Sequence, residues 1–153
     1  MNKNKEIKTV FIPVIIVFIV SMVIFNFIAK PIIVKGESMI PTLKDGQWLF
    51  INEINKNIQR FDIVVAKIDD AYIIKRVIGL PGETVKIKNN DIYVNGKKIN
   101  DVINVEMDEY GILQEEVTLK NNEYILMGDN RNNSLDSRII GPVSFDEIEG
   151  KIY

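Results

Sequence analysis

Asp62-Ile63-Val64-Val65-Ala66 and Tyr72-Ile73-Ile74-Lys75-Arg76-Val77-Ile78, separated by a polar loop at Asp69-Asp70, decide the fold class of this chain. Each run is too short for a helix of ordinary length and rich in β-branched residues, which suit a pleated surface better than a helix. Both read as buried strands. Toward the N-terminus, Ile32-Ile33-Val34 and Trp48-Leu49-Phe50-Ile51 have the same character, the second following the turn signal Lys44-Asp45-Gly46. Toward the C-terminus, Gly79-Leu80-Pro81-Gly82-Glu83 turns the chain into clean alternation. Val85 and Ile87 alternate with Lys86 and Lys88, and Ile92 and Val94 follow a break at Asn89-Asn90. That pattern predicts a ribbon with one wet face. Asn95-Gly96 predicts a type I′ hairpin turn, which needs positive φ at both central positions. Residues 115–119 and 124–127 flank a further turn at Asn121-Asn122. Residues 100–116 are acidic and irregular and read as a mobile excursion, and the residues after Val143 as a short acidic tail. The expected architecture is an all-β domain, a partly open barrel or sandwich with a β-ribbon appendage.

The apolar run from Thr9 to Ala29 carries no charge. As a helix at about 1.5 Å per residue it reaches roughly 31 Å, the thickness of a bilayer's hydrocarbon core. Cleavable signals have a shorter apolar region of about 7–15 residues and end in a small-x-small site. Phe25-Asn26-Phe27-Ile28-Ala29-Lys30 offers none. A buried core helix would show a polar face, and none is visible. The run therefore predicts an uncleaved transmembrane helix. Lys3, Lys5 and Lys8 precede it against Glu6 alone. By the positive-inside rule this places residues 1–8 in the cytoplasm and residues 30–153 on the extracytoplasmic side, tethered to the cytoplasmic membrane by one pass over residues 9–29.

Of 153 residues none is histidine and none is cysteine. This excludes a Ser-His-Asp triad, a Cys-His pair, a thiolate zinc site and any disulfide. Acid-base chemistry must run on carboxylates, lysine or tyrosine. The formal net charge is −2 and no polybasic run follows the apolar segment, which argues against a nucleic-acid partner.

Gly36-Glu37-Ser38-Met39-Ile40-Pro41-Thr42-Leu43 puts a serine on irregular backbone between glycine and proline. Such a serine is a turn residue or a presented hydroxyl. Without histidine, a nucleophilic serine needs another base, and a lysine serves when burial makes its charge expensive. Lys75 interrupts an apolar run, where a lysine either packs inside or snorkels into water. Alternation separates it from Arg76, so that one of the two cations points into a site and the other away from it. A third polar stretch, Gly128-Asp129-Asn130-Arg131-Asn132-Asn133-Ser134-Leu135-Asp136-Ser137-Arg138, lies between apolar runs that anchor both its ends. It reads either as a solvated turn or as a rigidly held functional loop. Its arginines match its carboxylates in number, a poor composition for a hard cation.

Together these stretches resemble the bacterial type I signal peptidases of the Gram-positive kind. The serine stretch resembles the nucleophile box and Lys75-Arg76-Val77-Ile78-Gly79-Leu80-Pro81-Gly82-Glu83 the lysine box. Residues 128–138 resemble the third box, and the resemblance runs along essentially the whole chain. It implies a membrane-anchored serine endopeptidase that removes signal peptides from exported precursor proteins after small residues, without metal or other cofactor. It further implies Ser38 as nucleophile, Lys75 as general base, Ser134 orienting the lysine, and Asp136 with Arg138 as a supporting ion pair. Ile32, Val34, Leu43, Val65 and Ile74 would line apolar pockets of the substrate cleft. Two departures stand out: Gly46-Gln47 where the family has Gly-Asp, and Arg60-Phe61-Asp62 where it has Arg-Gly-Asp. Gly36 also replaces a serine that assists the oxyanion in some relatives, leaving that task mainly to the Ser38 amide. Two other classes fit parts of the pattern. A self-cleaving Ser/Lys regulatory protease shares the dyad but would not need a span. A non-catalytic membrane-tethered binding domain leaves serine, lysine and polar loop unexplained.

The charge asymmetry around the apolar run makes topology testable. Protease added outside intact protoplasts should digest residues 30–153, and full protection of that part would reverse the orientation.

Overall fold

The computed structural model describes residues 11–22, 30–54 and 57–152. Residues 11–22 are helical (α1) with exposed side chains. Among the described residues no helix is long and apolar enough to cross a membrane. Both ends of the expected span over 9–29 lie outside the described residues, as do residues 1–8.

Among the described residues eleven strands follow. A seven-stranded sheet contains β1 (Lys30–Ile33), β2 (Trp48–Asn52), β3 (Ile63–Ile68), β4 (Ala71–Gly79), β9 (Glu123–Met127), β10 (Val143–Ser144) and β11 (Ile148–Ile152), in the order β1-β2-β11-β3-β4-β9-β10. A four-stranded sheet contains β5 (Thr84–Lys88), β6 (Asp91–Val94), β7 (Lys97–Lys98) and β8 (Val117–Thr118), in the order β7-β6-β5-β8. The all-β expectation for the domain thus holds, as two sheets. The two deciding runs pair as antiparallel neighbours, with Val64 opposite Lys75 and Val65 opposite Ile74. Pro31 is tolerated in β1 because β1 is an edge strand, where a missing N–H costs no ladder bond. Asn95 and Gly96 have φ of 50° and 73°, the backbone a type I′ turn requires.

The sheets meet where β4 ends. Its pairing with β9 shifts register between Val77 and Gly79. A Cβ on Gly79 would lie 2.7 Å from Val85 Cγ2 and 2.9 Å from Leu119 Cδ1, so only glycine allows this approach. Around the joint, Ile78, Val85, Ile87, Leu113, Ile125 and Met127 form one core cluster. Val64, Ala66, Val77, Leu126 and Ile148 form a second within the large sheet, and Val34, Met39 and Leu43 a third beneath the serine stretch.

Two expectations need correcting. The acidic tail is not peripheral: Ser144 and Glu147 make a reciprocal capping box over a 3-10 turn, Phe145–Glu147. The chain then inserts β11 between β2 and β3, with Ile148 fully buried. The count of acids hid a strand in which Ile148 and Gly150 face inward. Residues 100–116 are irregular but anchored. Met107 and Leu113 are buried, Arg131 pairs with Asp101, and Asn132 Nδ2 donates to Glu106 O at 2.9 Å while its Oδ1 accepts from Asp108 N at 3.0 Å.

Because β11 carries the pairing between β2 and β3, deleting residues 148–153 should abolish the cooperative thermal transition of the domain. A truncated chain melting within a few degrees of the full one would contradict this placement.

Candidate active site

Ser38 lies on the connection from β1 to β2. This connection is closed on itself: Val34 N donates to Gln47 O and Gly46 N to Val34 O, both at 2.9 Å, and Leu43 N to Met39 O at 2.9 Å. Gly36, at φ +84°, donates its N–H to Asp45 Oδ1 at 2.7 Å. Met39, 1% exposed, plugs the third core cluster beside the serine. The half-buried Ser38 is therefore held by its neighbours.

Lys75 arrives from β4 and is 3% exposed. Its Nζ lies 2.7 Å from Ser38 Oγ. When charged the amine donates to the hydroxyl; when neutral it can accept the hydroxyl proton. Burial pushes the Lys75 pKa below the usual lysine range, and the Arg138 charge pushes it further, against opposing pulls from Asp136 and Asp129. These carboxylates are committed elsewhere. Arg76 gives Nε and Nη2 to Asp129 at 2.8 and 2.6 Å, and Arg138 gives Nε and Nη2 to Asp136 at 2.9 and 2.8 Å. Among the described residues Lys75 forms no ion pair. Arg76 does point away from the serine, but into the protein instead of water.

The polar loop forms the second wall. Asp136 is fully buried. Burial alone would raise its pKa, but the hydrogen bonds and charge of Arg138, the Gly128 N–H at 2.9 Å and a smaller effect of the Ser134 hydroxyl bring it below the ordinary value. Asp136 also caps the short helix α2 (Ser137–Ile140), accepting from Arg138 N at 3.2 Å. Ser134 Oγ is buried, close to Asp136 but outside hydrogen-bonding geometry, and has no hydrogen-bond partner among the described residues, Lys75 included. A Cβ on Gly128 would strike the Ser134 side chain and come within 2.6 Å of Ser38 O. Glycine is what lets loop and serine stretch touch.

Beside Ser38 and Lys75 opens a cleft of about 730 Å³ whose lining includes Ile32, Val34, Val65 and Ile74. Leu43 does not line it; it is buried below, in the cluster with Met39 and Val34. The sequence reading missed Asp129, 1% exposed, whose carboxylate takes the Thr42 hydroxyl as well as Arg76 and so ties loop, β4 and serine stretch together. It also missed Asn130, which donates its N–H to Ser38 O at 3.0 Å and its Nδ2 to Glu37 O at 3.1 Å. No local pattern could single out these two among the loop's amides and acids, since their partners lie far away in sequence. Phe61 shows what the departure from glycine entails. It sits at φ +71°, where side chains are rarely found, tied by its N–H to Val77 O and by its O to Arg76 Nη1, each at 2.8 Å.

A β scaffold that brings a serine against a buried lysine beside an apolar cleft has the parts a serine endopeptidase needs, and similarity to known proteins fixes the class. Residues 6–153 match the family described as signal peptidase, peptidase S26. Signal peptidase I S of Bacillus subtilis (strain 168) is 39% identical over 150 residues, covering 90% of this chain and 82% of that protein. Signal peptidase IB of Staphylococcus aureus (strain COL) is 35% identical over 170 residues, covering 97% and 88%. The crystal structure of a signal peptidase I from Enterococcus faecalis V583 superimposes with a TM-score of 0.55 at 33% identity, over 64% of this chain and 98% of that one. The chain belongs to the signal peptidase family, peptidase S26.

The depressed Lys75 pKa has a consequence for stability. Above the unfolded lysine range, near 10.5, both states are neutral and the site costs nothing. As pH falls through that value the unfolded chain takes up a proton that the folded site resists, so the penalty grows until pH drops below the folded pKa. Lys75→Met should therefore melt higher than wild type at pH 6, by a margin that narrows as pH rises toward 10.5. A mutant less stable at pH 6 would mean a charged, well-compensated lysine.

Proposed function

We propose that this chain is a membrane-anchored signal peptidase I that cleaves N-terminal signal peptides from exported precursor proteins. The observation carrying this reading is the 2.7 Å contact between Lys75 Nζ and Ser38 Oγ beside the apolar cleft. Neutral Lys75 takes the Ser38 proton as Oγ attacks the scissile carbonyl. The oxyanion is met chiefly by the Ser38 amide. Lys75 then returns the proton to the leaving amine and activates a water that hydrolyses the acyl-enzyme. Its need to be neutral makes kcat/KM rise with pH along a limb set by Lys75. Asp136 and Arg138 support the loop as a neutralised pair, and Ser134 borders the lysine's surroundings. The substrate lies extended along β1, with small side chains at positions −1 and −3 entering pockets of Ile32, Val34, Val65 and Ile74; Leu43 supports these pockets from below.

Residues 1–8 lie in the cytoplasm, residues 9–29 span the bilayer and residues 30–153 work on its outer side. The charge asymmetry, the helical backbone of residues 11–22 and the exposure of their apolar side chains support this placement.

Purified full-length protein in detergent or lipid, incubated with a precursor, should cut once after an Ala-x-Ala sequence. Ser38→Ala, Lys75→Ala and Lys75→Arg should each lose about a thousandfold or more, without additivity, because each disables one unit and a guanidinium stays protonated. Phe in place of Ala at −1 should block cleavage. Turnover by Ser38→Ala, or equal cutting after Phe, would refute the proposal.

A further inference from the structure

We infer that Asn130 is a positioning residue for the oxyanion, aiming the Ser38 amide from the polar loop. The inference rests on the peptidase reading above and adds a residue to it. In a trans peptide the carbonyl oxygen and the following N–H lie in one plane and point in opposite directions. The N–H of Ser38 is thus aimed by whatever holds the carbonyl of Glu37. That oxygen accepts two hydrogen bonds, from Ile40 N at 3.1 Å and from Asn130 Nδ2 at 3.1 Å. On the other side of the Ser38 Cα, the main-chain N–H of Asn130 holds Ser38 O at 3.0 Å. One residue therefore pins both peptide planes that flank the nucleophile. Ser38 N–H itself donates to no group among the described residues, leaving it free for a developing negative charge.

Two features make this aim matter. Gly36 supplies no side-chain donor, so a misdirected Ser38 amide has no hydroxyl at that position to compensate for it. The loop also reaches the serine stretch only because Gly128 leaves room for Ser38 O, so Asn130 is set by close packing at one end and by the Arg76–Asp129 pair next to it. Preorganised donors contribute to catalysis in proportion to how little they move as charge appears. Losing one strut while Ile40 N–H remains should cost less than losing the donor, for which about 10²–10³ in kcat is typical.

The experiment compares wild type, Asn130→Ala and Asn130→Asp as full-length protein. It measures precursor cleavage and binding of a peptide aldehyde ending in alanine. Ser38 Oγ adds to the aldehyde carbon, the C=O pair moves to oxygen and the serine proton passes to Lys75, giving a tetrahedral adduct. Asn130→Ala should lower kcat about tenfold or more with KM within about twofold. It should weaken the aldehyde by a similar factor but leave a non-cleavable peptide amide unchanged, and the pH midpoint of the kcat/KM limb should stay put. Asn130→Asp keeps the shape and the main-chain bond but turns the donor into an acceptor facing Glu37 O. It should lose at least as much at the alkaline plateau. Both variants within twofold of wild type in kcat, or equal weakening of aldehyde and peptide amide, would overturn the inference. A wild-type protein that cuts no precursor, or a Ser38→Ala protein that does, would overturn the peptidase reading itself.

Discussion

The constraint on which this molecule depends is an amine kept inside the protein without a counter-charge. A buried lysine ordinarily finds a carboxylate, and a carboxylate beside Lys75 would hold its proton and leave Ser38 without a base. Asp129 and Asp136 both lie near enough to act on the lysine, yet each is taken by a guanidinium, Arg76 and Arg138. Arginine suits this task because it stays charged at any working pH and binds a carboxylate through two N–H groups. The neighbourhood is thus nearly balanced in charge, and burial decides that the pKa of the lysine falls. In a chain without histidine, the proposed mechanism asks for such an amine, one whose pKa burial lowers.

Such an arrangement needs rigid walls, since each buried ion pair tolerates little misplacement. The large sheet provides one through β3 and β4, and β11 lies beside them in the sheet. The polar loop provides the other, stiffened by the Asp136 cap on α2 and by the 100–116 segment, which reaches it through Asp101, Glu106, Asp108 and Glu109. The second sheet joins the first at Gly79 and Leu119 and adds core without approaching the cleft.

Most strands were legible because period-two alternation and β-branched runs report on local packing. The paired runs of β3 and β4, the ribbon and the Asn95-Gly96 turn all appear where pattern puts them. The three polar stretches were legible as candidates, since hydroxyl, amine and carboxylate among apolar residues ask for a reason. Partners across long sequence separations were not. Nothing local tells that Arg76 turns inward to Asp129, that Leu43 supports the cleft from beneath, or that Asn130 reaches the peptide before the serine. Charge also misled: Glu106, Asp108 and Glu109 are exposed in a stretch that buries Met107 and Leu113, Glu149 follows the fully buried Ile148, and counting acids hides those three apolar residues.

The place of the cleft gives the proposed topology its mechanical sense. β1 begins at Lys30, immediately after the apolar run, and its Ile32 lines the cleft, as does Val34 just beyond it. At about 3.3 Å per residue, the run from Lys30 to Val34 extends roughly 13 Å. On the proposed topology the cleft wall then lies within that distance of the residue that follows the apolar run. On that topology a substrate whose own apolar segment lies in the same bilayer would emerge near the same level, alongside the edge strand β1. The tether would thereby do more than localise the enzyme. On the proposed topology it would restrict the bonds that can reach Ser38 to those a short distance beyond a membrane-held segment, and small-residue pockets would need only choose among these few.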